Sequence, residues 1–403
     1  MLSQTENTEI CTGTRTDSKG IYMKILITTD LYATKTNGVV TSVKNLWDEL
    51  SHKGHDVRIL TLSDRPRSRK EGSVYYIRSM PLGVYPGVRM PLSYHHALIR
   101  ELVEWQPDII HSQCEFFSYQ FALYISKHTG APIVHTYHTM YEQYAGYIVP
   151  SERLGKRLAE LLTQKRLKRV ELILAPTDKI KQLLDSYELD KKICVVPSGI
   201  DLEQHKKQLP PDERSERRQA LGIADDQHVL INLGRLGTEK NPEELLRFFS
   251  SALAQDSSMT FLFVGDGPAK GQLESTANDL GIADRVIFTG MVDPSEVQDY
   301  YQLGDIFVSA STSETQGLTY IEAAANGLPL LCRKDPCLDG VITPGENGYA
   351  YTNEHEFLDA VQAIIHDPDW CEAAGQHSRE KAAAFDKKTF GTAVEEIYHS
   401  VLD

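Results

Sequence analysis

Two consecutive doubly wound α/β domains, each a parallel sheet with helices on both faces, are predicted by three features of the 403-residue sequence. Short apolar runs alternate with longer amphipathic stretches. The alternation breaks once, between residues 197 and 218, and then restarts with the same rhythm. Strand-then-helix repetition needs crossover connections and hence parallel strands. A chain of this length also exceeds what one hydrophobic core usually serves.

In the first half the runs at 25–28, 57–60, 74–77, 109–111, 133–137, 172–175 and 193–196 read as strands. The stretches 38–53, 92–105, 119–128, 154–169 and 177–186 repeat apolar residues at helical spacing. The break at 197–201 runs into a charged stretch, 203–218, that carries Pro210-Pro211. In the second half 229–233, 260–264, 286–289, 306–309 and 329–332 read as strands, and 243–254, 269–280, 294–303, 318–325, 354–366 and 369–384 as helices. The expected organisation is a disordered polar extension at 1–22, a first α/β domain at 23–200 and a second at 201–387, with a last helix at 388–402 returning to the first domain. Met23, followed by Lys24 and an apolar strand, reads as a natural chain start.

Hydrophobic residues at 41% and charged residues at 24% exclude disorder over the whole length. The formal charge of −14 argues against a general nucleic-acid binder. No apolar run approaches the roughly 18–20 residues that span a bilayer, and no secretory leader pattern opens the chain. Six cysteines lie scattered without a CxxC pair, as in a reduced, cytosolic protein.

Ligands of such sheets bind outside the carboxyl ends of the strands, so the chemistry is expected in the strand-to-helix loops. The first loop runs from Thr29 to Val40 and opens a helix at Gly38, where the backbone N–H groups of Gly38 and Val39 can meet an anion. The loop Gly234-Arg235-Leu236-Gly237-Thr238-Glu239-Lys240-Asn241 follows the first strand of the second domain and sets two cations where a diphosphate could be clamped. Gly265-Asp266-Gly267-Pro268 resembles a dinucleotide turn only superficially. It lacks the third glycine, and Pro268 removes a backbone donor, so a tight strand–helix turn is the better reading. The most specific loop runs from Ser313 to Ala323. Glu314 and Glu322 are carboxylates suited to sugar or ribose hydroxyls, and Gln316, Gly317 and Leu318 bring backbone N–H groups to a helix start. Of His135 and His138, at the end of a strand in the first domain, His138 suits a sugar hydroxyl and His135 a structural role. Asp367-Pro368-Asp369 reads as a turn and helix cap, and no metal ligand set is expected.

Arg235, Lys240 and the Glu314-x7-Glu322 pair resemble the motifs of retaining glycosyltransferases of family 4. The likeness extends from Met23 to Asp403 and takes in the 197–201 junction and the 265–268 turn. Thr136-Tyr137-His138-Thr139, Tyr141-Glu142-Gln143-Tyr144 and Asn37-Gly38-Val39 are most similar to bacterial 1,2-diacylglycerol 3-glucosyltransferases. The first loop departs from the pattern, with Ala33 where a proline is common and Asn37 where glycine is. The resemblance implies the GT-B fold, two such domains facing across a cleft. It implies a nucleotide-sugar donor, UDP-glucose, and transfer with retention to a hydroxyl acceptor, diacylglycerol or else a sugar or small alcohol. It gives Arg235 and Lys240 the departing diphosphate, Glu314 the donor sugar, Glu322 the ribose, and His138 the sugar near its reacting carbon, with backbone support at Gly38, Val39, Gln316, Gly317 and Leu318. No cofactor or metal is implied.

Two other classes compete on the same pattern. An NAD-type oxidoreductase would need an acidic ribose ligand about twenty residues after the glycine turn, and Asp284-Arg285 there precedes a strand. A non-catalytic sugar-nucleotide-binding module would not need the full Arg235, Lys240, Glu314 and Glu322 set.

The segment 151–170 holds Arg153, Lys156, Arg157, Lys165, Arg166, Lys168 and Arg169 against Glu152 and Glu160, with Leu154, Leu158, Leu161 and Leu162 at helical spacing. A basic amphipathic helix of this kind suits an anionic membrane surface and a peripheral place on the cytoplasmic leaflet. The alternative is a leucine stripe packed on the sheet with its cations in water. Tyr137, Tyr141, Tyr144 and Tyr147 nearby are candidates for a lipid entry or for the core.

Overall fold

The structure is a computed structural model, and it describes residues 22–32, 37–82, 89–140 and 152–403. The expected extension before Tyr22, and Tyr141, Tyr144 and Tyr147, lie outside these residues. The chain divides into two compact units, one reaching Gly199 and taking in Lys387–Asp403, the other Ile200–Asp386.

The first unit is built on one sheet. Its strands are β1 (Lys24–Thr29), β2 (Asp56–Ser63), β3 (Arg69–Glu71), β4 (Val74–Pro81), β5 (Arg89–Pro91), β6 (Ile109–Ser112), β7 (Ile133–Thr136), β8 (Leu172–Ala175) and β9 (Lys192–Val195). Their spatial order is β3-β4-β2-β1-β6-β7-β8-β9, with β5 added to β4. All pairs are parallel except β3 and β5 on β4. The central strands are apolar on both sides because helices cover both faces. One face packs Leu26, Ile110 and Ile173 under α3 (Phe117–Thr129); the other packs Ile25, Ile59 and Val134 under α1 (Gly38–His52). The remaining helices of this unit are α2 (Ala97–Trp105), α4 (Glu152–Leu167) and α5 (Asp178–Asp185).

The second unit holds β10 (His228–Leu233), β11 (Met259–Val264), β12 (Val286–Phe288), β13 (Ile306–Ser309), β14 (Leu330–Arg333) and β15 (Gly348–Tyr351). They form a parallel sheet in the order β12-β11-β10-β13-β14-β15. Its helices are α6 (Pro211–Ala220), α7 (Pro242–Gln255), α8 (Lys270–Asp279), α9 (Val297–Tyr301), α10 (Leu318–Ala325), α11 (Glu354–Ile365) and α12 (Pro368–Ala382). The last helix, α13 (Lys387–Leu402), belongs to the first unit and packs on α1, with Lys387 paired to Asp48 at 2.6 Å.

Several expected boundaries need correction. The charged stretch at 203–218 contains α6, which obeys helix-end chemistry: Pro211 at its start, Asp212 and Glu213 in the first turn, Arg217 and Arg218 in the last. Its buried face rests largely on Arg218, 3% exposed, whose guanidinium donates to Leu303 O and pairs with Asp305, so no apolar stripe advertises the helix. Helix α2 begins at Ala97 rather than residue 92, because β5 occupies 89–91 and His96 Nδ1 caps the N–H of Leu98. The strands β3 and β5 span three residues each, too few for a periodicity, and β15 also escaped the sequence reading.

Candidate active site

In the second unit β10 and β13 are neighbours, and the connections that leave their carboxyl ends run to opposite sides, to β11 and to β14. Such a reversal opens a crevice at the carboxyl ends of the two middle strands. The loops that rim it are those after β10 and β13, which carry Arg235, Lys240 and Glu314. A pocket there is lined by Arg235, Lys240, Ser309, Glu314 and Thr319 among others.

The charges in this pocket are paired. Lys240 Nζ lies 2.7 Å from Glu314 Oε1, which also accepts from the Ser311 hydroxyl at 3.1 Å. Arg235 is paired with Glu239. The glycine turn after β11 buttresses this loop: Leu236 N donates to Asp266 O at 3.0 Å, and a Cβ at Gly265 would fall 2.1 Å from Gly234 O. The 265–268 segment is therefore a packing turn.

After β13 the chain reaches Gly317 at φ +75°, a left-handed conformation that glycine adopts readily. Helix α10 starts at Leu318 with no side chain capping it, and Gln316 is buried just before. One turn on, Glu322 accepts a 2.9 Å hydrogen bond from the hydroxyl of Tyr301, a fully buried side chain. Burial is the main cause that raises the Glu322 pKa from 4.5 to about 7, and the Tyr301 hydrogen bond opposes it. The pocket thus presents Arg235, Lys240 and one carboxylate, Glu314, beside the first turn of α10, with Glu322 further along that helix, a set that can meet both the anionic and the hydroxylated parts of a phosphorylated sugar.

The first unit has a similar reversal at β1, which lies between β2 and β6. Asp30, directly after β1, accepts the N–H groups of Phe117 and Ser118 at the start of α3, at 3.3 and 2.6 Å. Helix α1 starts at Gly38, and Asn37 Oδ1 accepts the Val40 N–H at 2.9 Å. Asn37 stands at φ −150°, extended backbone that does not call for glycine. After β6, Gln113 Oε1 accepts from His138 Nε2 at 2.6 Å, so the ring proton expected to serve a sugar hydroxyl is engaged within the unit. Burial, with His135 adding to it, pushes the His138 pKa down to about 3, and the ring is neutral. His135 and Glu115 form a 3.0 Å pair with both side chains buried. His111 shares hydrogen bonds with Thr136 Oγ1 at 2.7 Å and with the Tyr398 hydroxyl of α13 at 2.6 Å.

Sequence reasoning had not singled out Asp30, Gln113, Glu115, Glu239 or Tyr301. Asp30 and Gln113 follow a strand end directly and Glu115 comes two residues after Gln113, a signal that becomes usable once β1 and β6 are known to be neighbours. Asp367 caps α12 through the Trp370 N–H at 2.9 Å, and no group of three or more His, Cys, Asp or Glu converges on a metal-sized site among the described residues.

Helix α4 packs on its unit through Gly155, Thr163 and Leu167. Its other stripe is uncovered: Leu154, Leu158, Leu161 and Leu162 are 53%, 43%, 54% and 49% exposed. Arg153, Arg157, Lys165, Lys168 and Arg169 are exposed with them. Tyr137 is a core residue and lines no entry. No helix of the described residues is long and apolar enough to cross a membrane.

Two parallel-sheet α/β units and a pocket of this charge pattern at the second switch point define a glycosyltransferase. The chain belongs to glycosyltransferase family 4: residues 36–204 match the model "Glycosyltransferase Family 4" and residues 213–381 the model "Glycosyl transferases group 1". It is 34% identical to an alpha-monoglucosyldiacylglycerol synthase of Streptococcus pneumoniae, over 93% of this chain and 85% of that one. It is 28% identical to a protein of the same name from Acholeplasma laidlawii, over 94% and 98%. The fold is GT-B, shared with sucrose-phosphate synthase of Thermosynechococcus elongatus (TM-score 0.73, 20% identity, 93% and 98% of the two chains). It is shared equally with an Anabaena protein solved with UDP and glucose (TM-score 0.72, 19% identity, 94% and 100%).

Proposed function

We propose that the protein transfers glucose from UDP-glucose to the free hydroxyl of diacylglycerol, with retention, to give an α-glucosyl lipid. The observation that carries this reading is the meeting of Arg235, Lys240 and Glu314 in one pocket at the switch point of the second sheet, with Glu322 in the helix that follows. In that role Arg235 and Lys240 meet the diphosphate, Glu314 the sugar hydroxyls and Glu322 the ribose, while the N–H groups at Gly317 and Leu318, beside Gln316, cradle oxygen atoms. The lipid hydroxyl bonds to C1 of glucose as the C1–O bond to the diphosphate breaks. The hydroxyl proton passes to the leaving oxygen on the same face, and charge develops on the diphosphate where preorganised cations stabilise it best. The backbone N–H groups at Gly38 and Val39 help hold phosphate and sugar, and His138 takes the sugar near its reacting carbon. Neither a metal nor another cofactor is needed, because the cationic loop neutralises the leaving group.

The names of the two relatives support diacylglycerol as acceptor. The uncovered leucines and flanking cations of α4, within 151–170, support delivery of that acceptor from an anionic membrane surface, with the enzyme peripheral on the cytoplasmic leaflet. Each near-surface cation adds about 1 kcal/mol. The test is a donor-by-acceptor panel on anionic vesicles containing diacylglycerol, with UDP- and GDP-sugars and soluble acceptors beside it. An α-linked glucosyl lipid made from UDP-glucose is expected. A β-linked product, or turnover confined to soluble acceptors, would overturn the proposal.

A further inference from the structure

Glu239 has no part in the reading above, yet it stands between the two cations of the loop. A carboxylate is the least favourable neighbour for an incoming diphosphate, so its presence calls for a separate account. The side chain is 4% exposed, while the Arg235 side chain paired with it is 36% exposed. The Glu239 carboxylate lies so close to Gly237 that a Cβ there would meet it at 2.3 Å. The tight turn Thr238–Lys240, closed by Asn241 at φ +52°, fixes the backbone that carries it. Lys240 has a different counter-charge, Glu314, from the loop after β13. One cation is therefore tied to a buried anion of its own loop, and the other to the carboxylate that must serve the sugar.

We infer that Glu239 is a positioning residue. It anchors the Arg235 guanidinium, and its charge offsets part of the attraction between the loop and a nucleoside diphosphate. The inference rests on reading Arg235 as the residue that meets the diphosphate. A free arginine side chain spreads over many rotamers. An immobile carboxylate removes that spread before the donor arrives, which is how preorganised charge serves a transition state. The same negative charge weakens the hold on donor and product alike, so the released diphosphate is not retained.

The opposed signs make the test decisive. Glu239→Gln keeps an oxygen for Arg235 and deletes the charge; Glu239→Ala deletes both. With UDP as the probe, Glu239→Gln is expected to bind about threefold to tenfold more tightly, the scale of one partly screened charge at a few ångströms, while turnover falls. Glu239→Ala is expected to lose more turnover than Glu239→Gln. In an Arg235→Ala background, Glu239→Ala is expected to lower turnover no further, as for residues acting through one another. Unchanged or weaker UDP binding by Glu239→Gln, or additive losses in the double variant, would overturn the inference. If Arg235→Ala itself leaves UDP binding and turnover at parental values, the assignment of the loop fails and the inference falls with it.

Discussion

Replacing Glu322 with glutamine should make the protein more stable while harming donor binding. The carboxyl is enclosed beside Tyr301, and its pKa rises from 4.5 to about 7, chiefly through burial. Below pH 4.5 both the folded and the unfolded chain hold this proton, and the carboxyl imposes no penalty. Between 4.5 and 7 the folded chain keeps a proton that the unfolded chain has lost, so stability falls as the pH rises. Above 7 the full penalty stands. At about 1.4 kcal/mol per tenfold change in ionisation it amounts to roughly 3 kcal/mol, and the partial exposure of the residue brings the working figure to about 2 kcal/mol. A neutral amide of the same shape keeps an oxygen for the Tyr301 hydroxyl and has no such slope. For a unit of this size, about 2–4 °C accompany each kcal/mol. Thermal unfolding of the ligand-free protein at pH 8 should therefore shift up by about 4–8 °C in Glu322→Gln, with a much smaller shift at pH 5.5. The apparent KM for the donor should rise several-fold, because a ribose contact made equally before and during reaction is lost. Equal shifts at both pH values, or a variant less stable than its parent at pH 8, would refute the reasoning.

Arg235→Ala and Lys240→Ala should each lower turnover by orders of magnitude with the fold intact, a loss of a few kcal/mol of leaving-group stabilisation seen in steady-state rates. Glu314→Gln should depress kcat more than it raises KM, and EDTA should leave the parental rate unchanged. His138 and His205 have pKa values pushed down by burial to about 3 and about 4, and His111 is likewise held well below 6.5. These rings stay neutral in the folded chain and take up protons in the unfolded one, so stability present above pH 6.5 should drain away as the pH falls below it, measurable as a steep acid dependence of denaturant unfolding. Leu158→Gln with Leu161→Gln should reduce co-sedimentation with anionic vesicles and leave the unfolding temperature within about a degree, since both side chains are already exposed.

How much of this was legible beforehand divides along one physical line. The central strands and the helices that follow them were readable because parallel-sheet strands are uniformly apolar and their helices periodic. Segment α10 was placed at 318–325 in agreement with the structure, on the strength of Leu318, Ile321 and Ala325 after a glycine. The positions of the cationic loop and the two glutamates were readable for a similar reason: the loop and Glu314 sit in strand-to-helix connections and Glu322 in the helix after the second of them, a geometry that is local in sequence. Helix α6 escapes the sequence reading because its inward face holds Arg218, bound to Leu303 and Asp305, and Arg214, bound to Gln302 and Asp305, so burial there is polar and leaves no hydrophobic signature.

What no local pattern could supply is which loops share a crevice. Gln113 and His138 are 25 residues apart and hydrogen-bonded, and Asp30 caps a helix 87 residues away. Both facts follow from the order β2-β1-β6-β7, which sets the carboxyl ends of β1, β6 and β7 side by side. The leucines of α4 make the same point from the surface. Leu154, Leu158, Leu161 and Leu162 have the spacing of a core stripe, and a stripe facing the sheet would read identically in sequence. The small residues Gly155 and Thr163 occupy the packed side with Leu167, so the helix meets its unit mainly through its narrow face and leaves its bulkier apolar face outward. A soluble helix gains by the opposite orientation, at about 25 cal/mol for each Å² of apolar surface removed from water. The outward leucines of α4 are not an orientation that water favours, and under the proposal made above an apolar phase edged by anionic headgroups is the surrounding that would cover them.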